Sequence, residues 1–318
     1  MQLSQAYEKG NGVKQDYQSA FEWCRKAAEQ GNAEAQNALG VMYSLGRGVA
    51  QSKEEAFLWY KKAAKQNIAK ADYNVAISYY NGDGVGSDLA TAYAWMMLAQ
   101  RNGDPDAEQA MSRIRSEFQD NDMEPAKLLL ADMYDKGDDV QADFASSIAL
   151  YRELAGTETK VNDGTTASEA QYMLCQHYFV GRGVPQDYPK AKLWCKAAAG
   201  NYKYFAFVVL ARMAEQGLGG PKDPQEAEIW YRDAALMDVA DAVLYLGKLK
   251  SQSGNHNDEK EAYFWLSLAR QMQINEADAP LQQVSAHLTP REMESERKKV
   301  KKWNKTDSDK RWKQVMFP

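Results

Sequence analysis

Cysteine is scarce in this chain: only Cys24, Cys175 and Cys195 occur among 318 residues. Three cysteines cannot build the disulfide framework of a small stapled fold, and each reads as a buried packing residue. Histidine is equally rare. His177, His256 and His287 are scattered and lack cysteine or carboxylate partners at ligand spacing, which argues against a metal centre. Basic excess is missing as well. With 39 Lys and Arg against 44 Asp and Glu the formal charge is -5, so the basic footprint of a nucleic-acid binder is absent. No apolar run approaches the roughly 18 residues of a membrane-spanning helix. Nor is there a Gly-x-Ser-x-Gly elbow, a phosphate-binding loop or a His-Glu-x-x-His pair, so no catalytic, cofactor-binding or metal-binding residue is assigned.

What the chain has is a period. Val13, Val49 and Val85 stand 36 residues apart, and Val184 and Gly220 repeat that interval. Ala33 to Asn67 shows the unit as one helix, a glycine-marked turn and a second helix. The first helix carries a small residue at one equivalent position, Gly40, Ala76, Ala131, Cys175, Ala211 or Gly247, where a partner helix can approach closely. The second helix carries Ala20, Ala56, Ala92, Ala191, Ala227 and Ala262, each followed three residues later by Trp23, Trp59, Trp95, Trp194, Trp230 and Trp265. Such columns lie on one helix face and form a packing stripe. Units of this length cannot bury their apolar faces alone, so they stack into a continuous core.

The pattern A-x-A-Q-x-x-L-G-x-x-Y-x-x-G-x-G-V followed by A-x-x-W-Y-x-K-A-A-x-Q-G resembles the Sel1-like repeat family, relatives of tetratricopeptide repeats. Residues 33 to 64 and 169 to 199 carry it most fully. The resemblance implies an all-α fold: a right-handed α/α superhelical solenoid of about seven helix-turn-helix repeats with a C-terminal capping helix. It also implies an adaptor rather than a single reaction, of a kind common in bacteria.

In this frame the repeats are expected at 1–31, 32–67, 68–103, 124–156, 167–201, 202–238 and 239–275 of one solenoid, 1–318. Met1 to Glu8 reads as the back half of a first helix, which suggests a trimmed leader and hence a periplasmic or secreted protein, with the cytoplasm as the alternative. Between Val85 and Val140 the frame gains about 19 residues, and Ala107, Ala110, Met111, Ile114 and Phe118 predict an extra helix over 104–123. The fourth repeat is degenerate, with Asp138 and Asp139 where the turn glycine stands elsewhere. Its polar loop at 156–166 is the expected joint. Thr289, Pro290 and Glu292 spell a capping box that opens the closing element at 276–305, while 306–318 is a tail. The run Lys298, Lys299, Lys301 and Lys302 reads as a solvated face of that cap.

If the units pack as tetratricopeptide repeats do, the first helices face a concave groove. The positions assigned to it are Asn37, Val41, Tyr73, Ile77, Tyr80, Asp132, Tyr172, Gln176, Phe179, Phe205, Arg212 and Lys248. Large aromatics beside cations, at places the repeat does not require, are favoured binding anchors. The expected partner is a protein or peptide bound by a non-catalytic scaffold. Monomer is the favoured state, and nucleic acid is not expected. Two alternatives come from the resemblance: binding or processing of cell-wall material (peptidoglycan or β-lactam), and a secreted virulence factor engaging a host protein.

Overall fold

The computed structural model describes residues 1–118, 123–156, 165–201 and 203–303. Among these described residues there are helices and turns and no strand. They divide into two compact units, Met1–Leu154 and Ala155–Pro318. The first holds α1 (Gln2–Lys9), α2 (Tyr17–Glu29), α3 (Ala33–Leu45), α4 (Lys53–Ala64), α5 (Ala69–Asn81), α6 (Leu89–Arg101), α7 (Ala107–Glu117), α8 (Met123–Lys136) and α9 (Phe144–Ala155) up to its last residue, Ala155, which belongs to the second. The second holds α10 (Thr165–Val180), α11 (Tyr188–Gly200), α12 (Tyr204–Gln216), α13 (Pro224–Leu236), α14 (Ala240–Ser251), α15 (His256–Gln271), a 3-10 turn at Asn275–Ala277, α16 (Asp278–Ser285) and α17 (Pro290–Trp303).

Local chemistry explains the hairpins. Asp16, Ser52, Asp88, Asp187 and Asp223 each cap a second helix, accepting from backbone N–H groups of its first turn. The same capping residues are held by the preceding helix: the amides of Ser52, Asp88 and Asp187 donate to the carbonyls of Tyr43, Tyr79 and Tyr178 at 2.9–3.0 Å. The turn between them uses two glycines. Gly46 closes α3 at φ 68°, a left-handed conformation that suits a residue without Cβ. The second glycine serves packing between repeats. A Cβ on Gly84 would lie 2.7 Å from the Glu54 nitrogen and closer still to the Lys53 carbonyl, so this turn docks directly on the first residues of α4.

Inside each hairpin the small residue of the first helix meets the residue that follows the tryptophan position of the second. A Cβ on Gly40 would sit 2.6 Å from the Tyr60 ring, and one on Gly247 would sit 2.7 Å from Leu266. This register corrects the reading of the cysteines. Cys175 and Cys195 occupy the same two columns, 20 residues apart like Gly40 and Tyr60, and they form a disulfide between α10 and α11 rather than packing as free thiols. Cys24 is free and buried.

Amides tie successive repeats. Gln36 donates to the Ala28 carbonyl at 3.1 Å and accepts from Gln66 at 2.7 Å. Gln171 does the same with Ala155 (3.1 Å) and Asn201 (2.8 Å).

The 36-residue frame continues past α6 for one more helix. Lys70 reaches Asp106 across 2.9 Å and Tyr80 donates to Glu117, so α7 runs parallel to α5 as the next first helix. The frame breaks at α8. Arg101 at the end of α6 pairs with Asp143 at 2.7 Å and lies over the Tyr134 ring at 4.8 Å, which brings the ends of α6 and α8 together. Hence α8, the expected first helix of repeat four, packs on α6 with their C-terminal ends together. In the turn after α8 the first glycine is present as Gly137 at φ 70°, and Asp139 stands where Gly48 and Gly84 stand in the earlier repeats. Asp139 pairs with Lys61, and the Asp138 carbonyl accepts from Lys65 at 2.9 Å, so the acids are held by lysines at the C-terminal end of α4.

In the second unit the cap forms as a reciprocal box: the Thr289 amide donates to Glu292 at 2.9 Å and the Glu292 amide donates to the Thr289 hydroxyl at 3.3 Å. Trp303, ending α17, packs on Phe264 and Trp265 with ring centroids 5.7 and 5.2 Å away. Most of the loop at 156–166 and all of the tail at 306–318 lie outside the described residues.

Candidate functional site

The twelve positions assigned to the first-helix face fall into separate groups. In the first unit, Asn37 on α3 accepts from Asn74 on α5 at 2.8 Å, which places it between neighbouring first helices. Val41, Tyr73, Ile77 and Tyr80 are half-buried against the core of this unit. Tyr73, Ile77 and Tyr80 come together at a cleft of about 190 Å³, whose other wall is Asp106, Gln109, Ala110, Arg113 and Ile114. The α7 helix therefore lines the side of α5 on which these residues lie. The Tyr80 hydroxyl is raised above its ordinary pKa by its hydrogen bond to Glu117. Lys70 sits 4.4 Å over the Tyr73 ring and also neighbours Asp104 and Asp106. Asp132 is not with this group. It accepts from Tyr151 at 2.7 Å within the α8–α9 hairpin and pairs with Lys136 at 3.4 Å.

In the second unit, Tyr172 on α10 faces Phe205 on α12 with ring centroids 6.4 Å apart. Lys203 lies 5.6 Å over Tyr172 and pairs with Glu169, the acid one turn earlier on α10. Burial raises the Tyr172 pKa, opposed by a hydrogen bond with Gln176. Phe205 is 57% exposed. Arg212, two helical turns further along α12, is also exposed and shares its face. Phe179 packs edge-on against Tyr188 at 5.6 Å, and Lys248 lies 5.7 Å over Tyr245 on α14. The structure thus brings Tyr172, Gln176 and Phe205 together, with Lys203, absent from the twelve assigned positions, as their cation. Its place three residues after the helix-ending Gly200 was the available signal.

Two further clusters escaped the sequence reading. His256 and His287 do have carboxylate partners: Glu259 contacts His256 at 3.3 Å and His287 at 2.8 Å, and Glu292 contacts His256 at 2.8 Å. His256 and Glu259 are one turn apart on α15, and His256 and Glu292, 36 residues apart, meet where α17 packs on α15. Glu292 and then Glu259 raise the His256 pKa. Among the described residues no three His, Cys, Asp or Glu side chains are placed to hold a metal ion. The other cluster surrounds Lys250, buried at the end of α14 and paired with Glu228 at 2.7 Å and Asp258 at 3.1 Å. No helix among the described residues is long and apolar enough to cross a membrane.

Paired helices at a 36-residue period, with small residues at the hairpin contact, define an all-α repeat solenoid. The chain belongs to the Sel1 repeat family, whose model matches residues 1–32, 33–68, 69–104, 125–155, 168–201, 209–239 and 240–273. Sel1 repeat proteins generally mediate protein–protein interaction, and the scaffold is generally non-catalytic. Among solved structures, a protective antigen present in uropathogenic Escherichia coli strains, displaying an SLR fold, shares 24% identity over 99% of this chain and 85% of its own, with a TM-score of 0.37. A Sel1 repeat protein from Oxalobacter formigenes shares 26% identity over 85% of this chain and 98% of its own, with a TM-score of 0.43. No curated protein matches the chain.

Proposed function

We propose that this protein is a non-catalytic adaptor that holds a protein or peptide partner on the first-helix face of its second unit. The observation that carries the reading is the exposure of Phe205, 57%, beside Tyr172 and on one face with Arg212. A large ring left in water next to a second ring gains by burial against a partner, roughly 1.5–3 kcal/mol for a fully buried phenylalanine. Arg212 adds a planar donor set that selects a carboxylate or carbonyl. The family's general role in protein interaction supports the same assignment. Tyr73, Ile77 and Tyr80 contribute less in this reading, because α7 already lines their cleft.

The test is paired capture from lysate and envelope fractions of the source organism, read by mass spectrometry, using the native chain and a Phe205→Ser, Arg212→Glu variant. Both positions are exposed, so helical content stays unchanged. A protein recovered by the native chain and lost by the variant is the expected result. Equal recovery by both would remove this face from the function.

A further inference from the structure

Gln36 and Gln171 occupy one column of the repeat, and in both the amide bridges two repeats: its nitrogen donates backward to a helix-end carbonyl and its oxygen accepts from an amide side chain 30 residues ahead. The third repeat has Asp72 in this column, 36 residues after Gln36. Its forward partner is again an amide side chain 30 residues ahead. One carboxylate oxygen accepts from Asn102 at 2.8 Å, as Gln36 accepts from Gln66. The carbonyl 36 residues after Ala28 belongs to Ala64, and each of these carbonyls also accepts a backbone amide, from Gly31 at 3.0 Å and from Asn67 at 2.8 Å. The difference is the other oxygen. Asp72 is fully buried, and its Oδ1 has no hydrogen-bond partner.

An ionised carboxylate has only acceptors to offer and cannot supply the donor that the glutamine amide supplies in this column. A neutral carboxylic acid restores the donor. We propose that Asp72 is folded into the junction of the second and third repeats as a protonated acid that replaces the glutamine amide, and that its ionisation loosens this junction.

The charges around it favour the neutral form. Asp104, from the loop between α6 and α7, lies close enough to repel a second carboxylate and is itself buried; it is served by Lys70 at 3.7 Å and by the Asp106 amide at 3.0 Å. From α8, Tyr134 senses the Asp72 charge, and Arg101 of α6 lies over the Tyr134 ring and pairs with Asp143. Lys65, at the C-terminal end of α4, is turned to the Asp138 carbonyl. Burial, opposed by the Asn102 hydrogen bond and reinforced by Asp104, pushes the Asp72 carboxyl up to about 7.

An acid whose folded pKa is raised binds more protons folded than unfolded. Its contribution is therefore fully present below about pH 4, where the unfolded side chain is also protonated, and is lost as pH rises to about 7. Asp72→Asn keeps the size, accepts from Asn102 and carries a donor at every pH. The experiment is denaturant unfolding of the full chain and this variant from pH 4.5 to 8.5. The ratio of their folding constants, variant over native, should climb about tenfold per pH unit and level off near pH 7. Carboxyl carbon NMR of aspartate-labelled native protein supplies a reading that does not depend on the variant folding: one resonance should titrate near neutrality and vanish in Asp72→Asn. A pH-independent ratio, or aspartate resonances that all titrate near 4, would overturn the proposal.

Discussion

Gly12 and Gly84 share a conformation, φ 74° at both, and the same place in the repeat turn. They differ in surroundings: a Cβ at Gly12 meets nothing within 4 Å, whereas one at Gly84 runs into the backbone of Lys53 and Glu54. Alanine at either position incurs the left-handed penalty, about 1–2 kcal/mol. Only Gly84→Ala must also push the turn away from α4. The obstructing atoms are main chain and cannot rotate aside, so the added cost is that of overpacking, about 1–3 kcal/mol. Gly12→Ala should thus lose about 1–2 kcal/mol and Gly84→Ala about 2–5 kcal/mol. Repeat arrays need not unfold in one step, so denaturant melts should be joined by hydrogen exchange, which assigns the loss to a repeat. For Gly84→Ala, faster exchange should centre on the α4–α5 junction. Equal losses from the two variants, within about 0.5 kcal/mol, would refute the claim that the second glycine exists for contact between repeats.

Ser4 and Cys24 are 20 residues apart in the columns that Cys175 and Cys195 fill, so Ser4→Cys should form a second disulfide under oxidation. Intact mass lower by two further hydrogens would show it, and two thiols still open to alkylation after unfolding would refute it. Cys175→Ser should destabilise the chain by roughly 3 kcal/mol, the expected effect of opening a loop of this length, measured against the native oxidised chain in denaturant; no difference would mean the two sulfurs are not joined in solution. His256→Gln should weaken the C-terminal cap at pH 5.5 more than at pH 8.5. The raised His256 pKa means its contribution is whole below the unfolded value and fades as pH climbs through the folded one. Exchange protection in α17 at the two pH values checks this, and an equal effect at both would contradict it.

The hairpins were legible because their determinants are local: the capping aspartates, the turn glycine Gly46 and the small residue Gly40 all lie within one 36-residue unit. The partner face was legible only as a set of positions. Phe205 and Tyr172 are far apart in the chain, and their contact depends on α12 lying beside α10. The disulfide was half legible. Both cysteines could be assigned to their columns, but recognising that the columns touch required the hairpin's depth, set by how closely Tyr60 approaches Gly40. His256 and Glu292 stand one 36-residue period apart, but they meet only because α17 packs over the start of α15.

The repeat, its helices and its family are already specified in the linear order of residues, since a helix and its caps are short-range objects read from positions three to nine apart. Which columns touch is settled only when the helices pack. Packing bonded Cys175 to Cys195, set α7 in the line of first helices and α8 alongside α6, and buried Asp72 with one oxygen unpartnered. The physical reason is that burial and contact are properties of surfaces that meet, and the energy of an unpaired polar atom or an exposed ring exists only once its neighbours are in place.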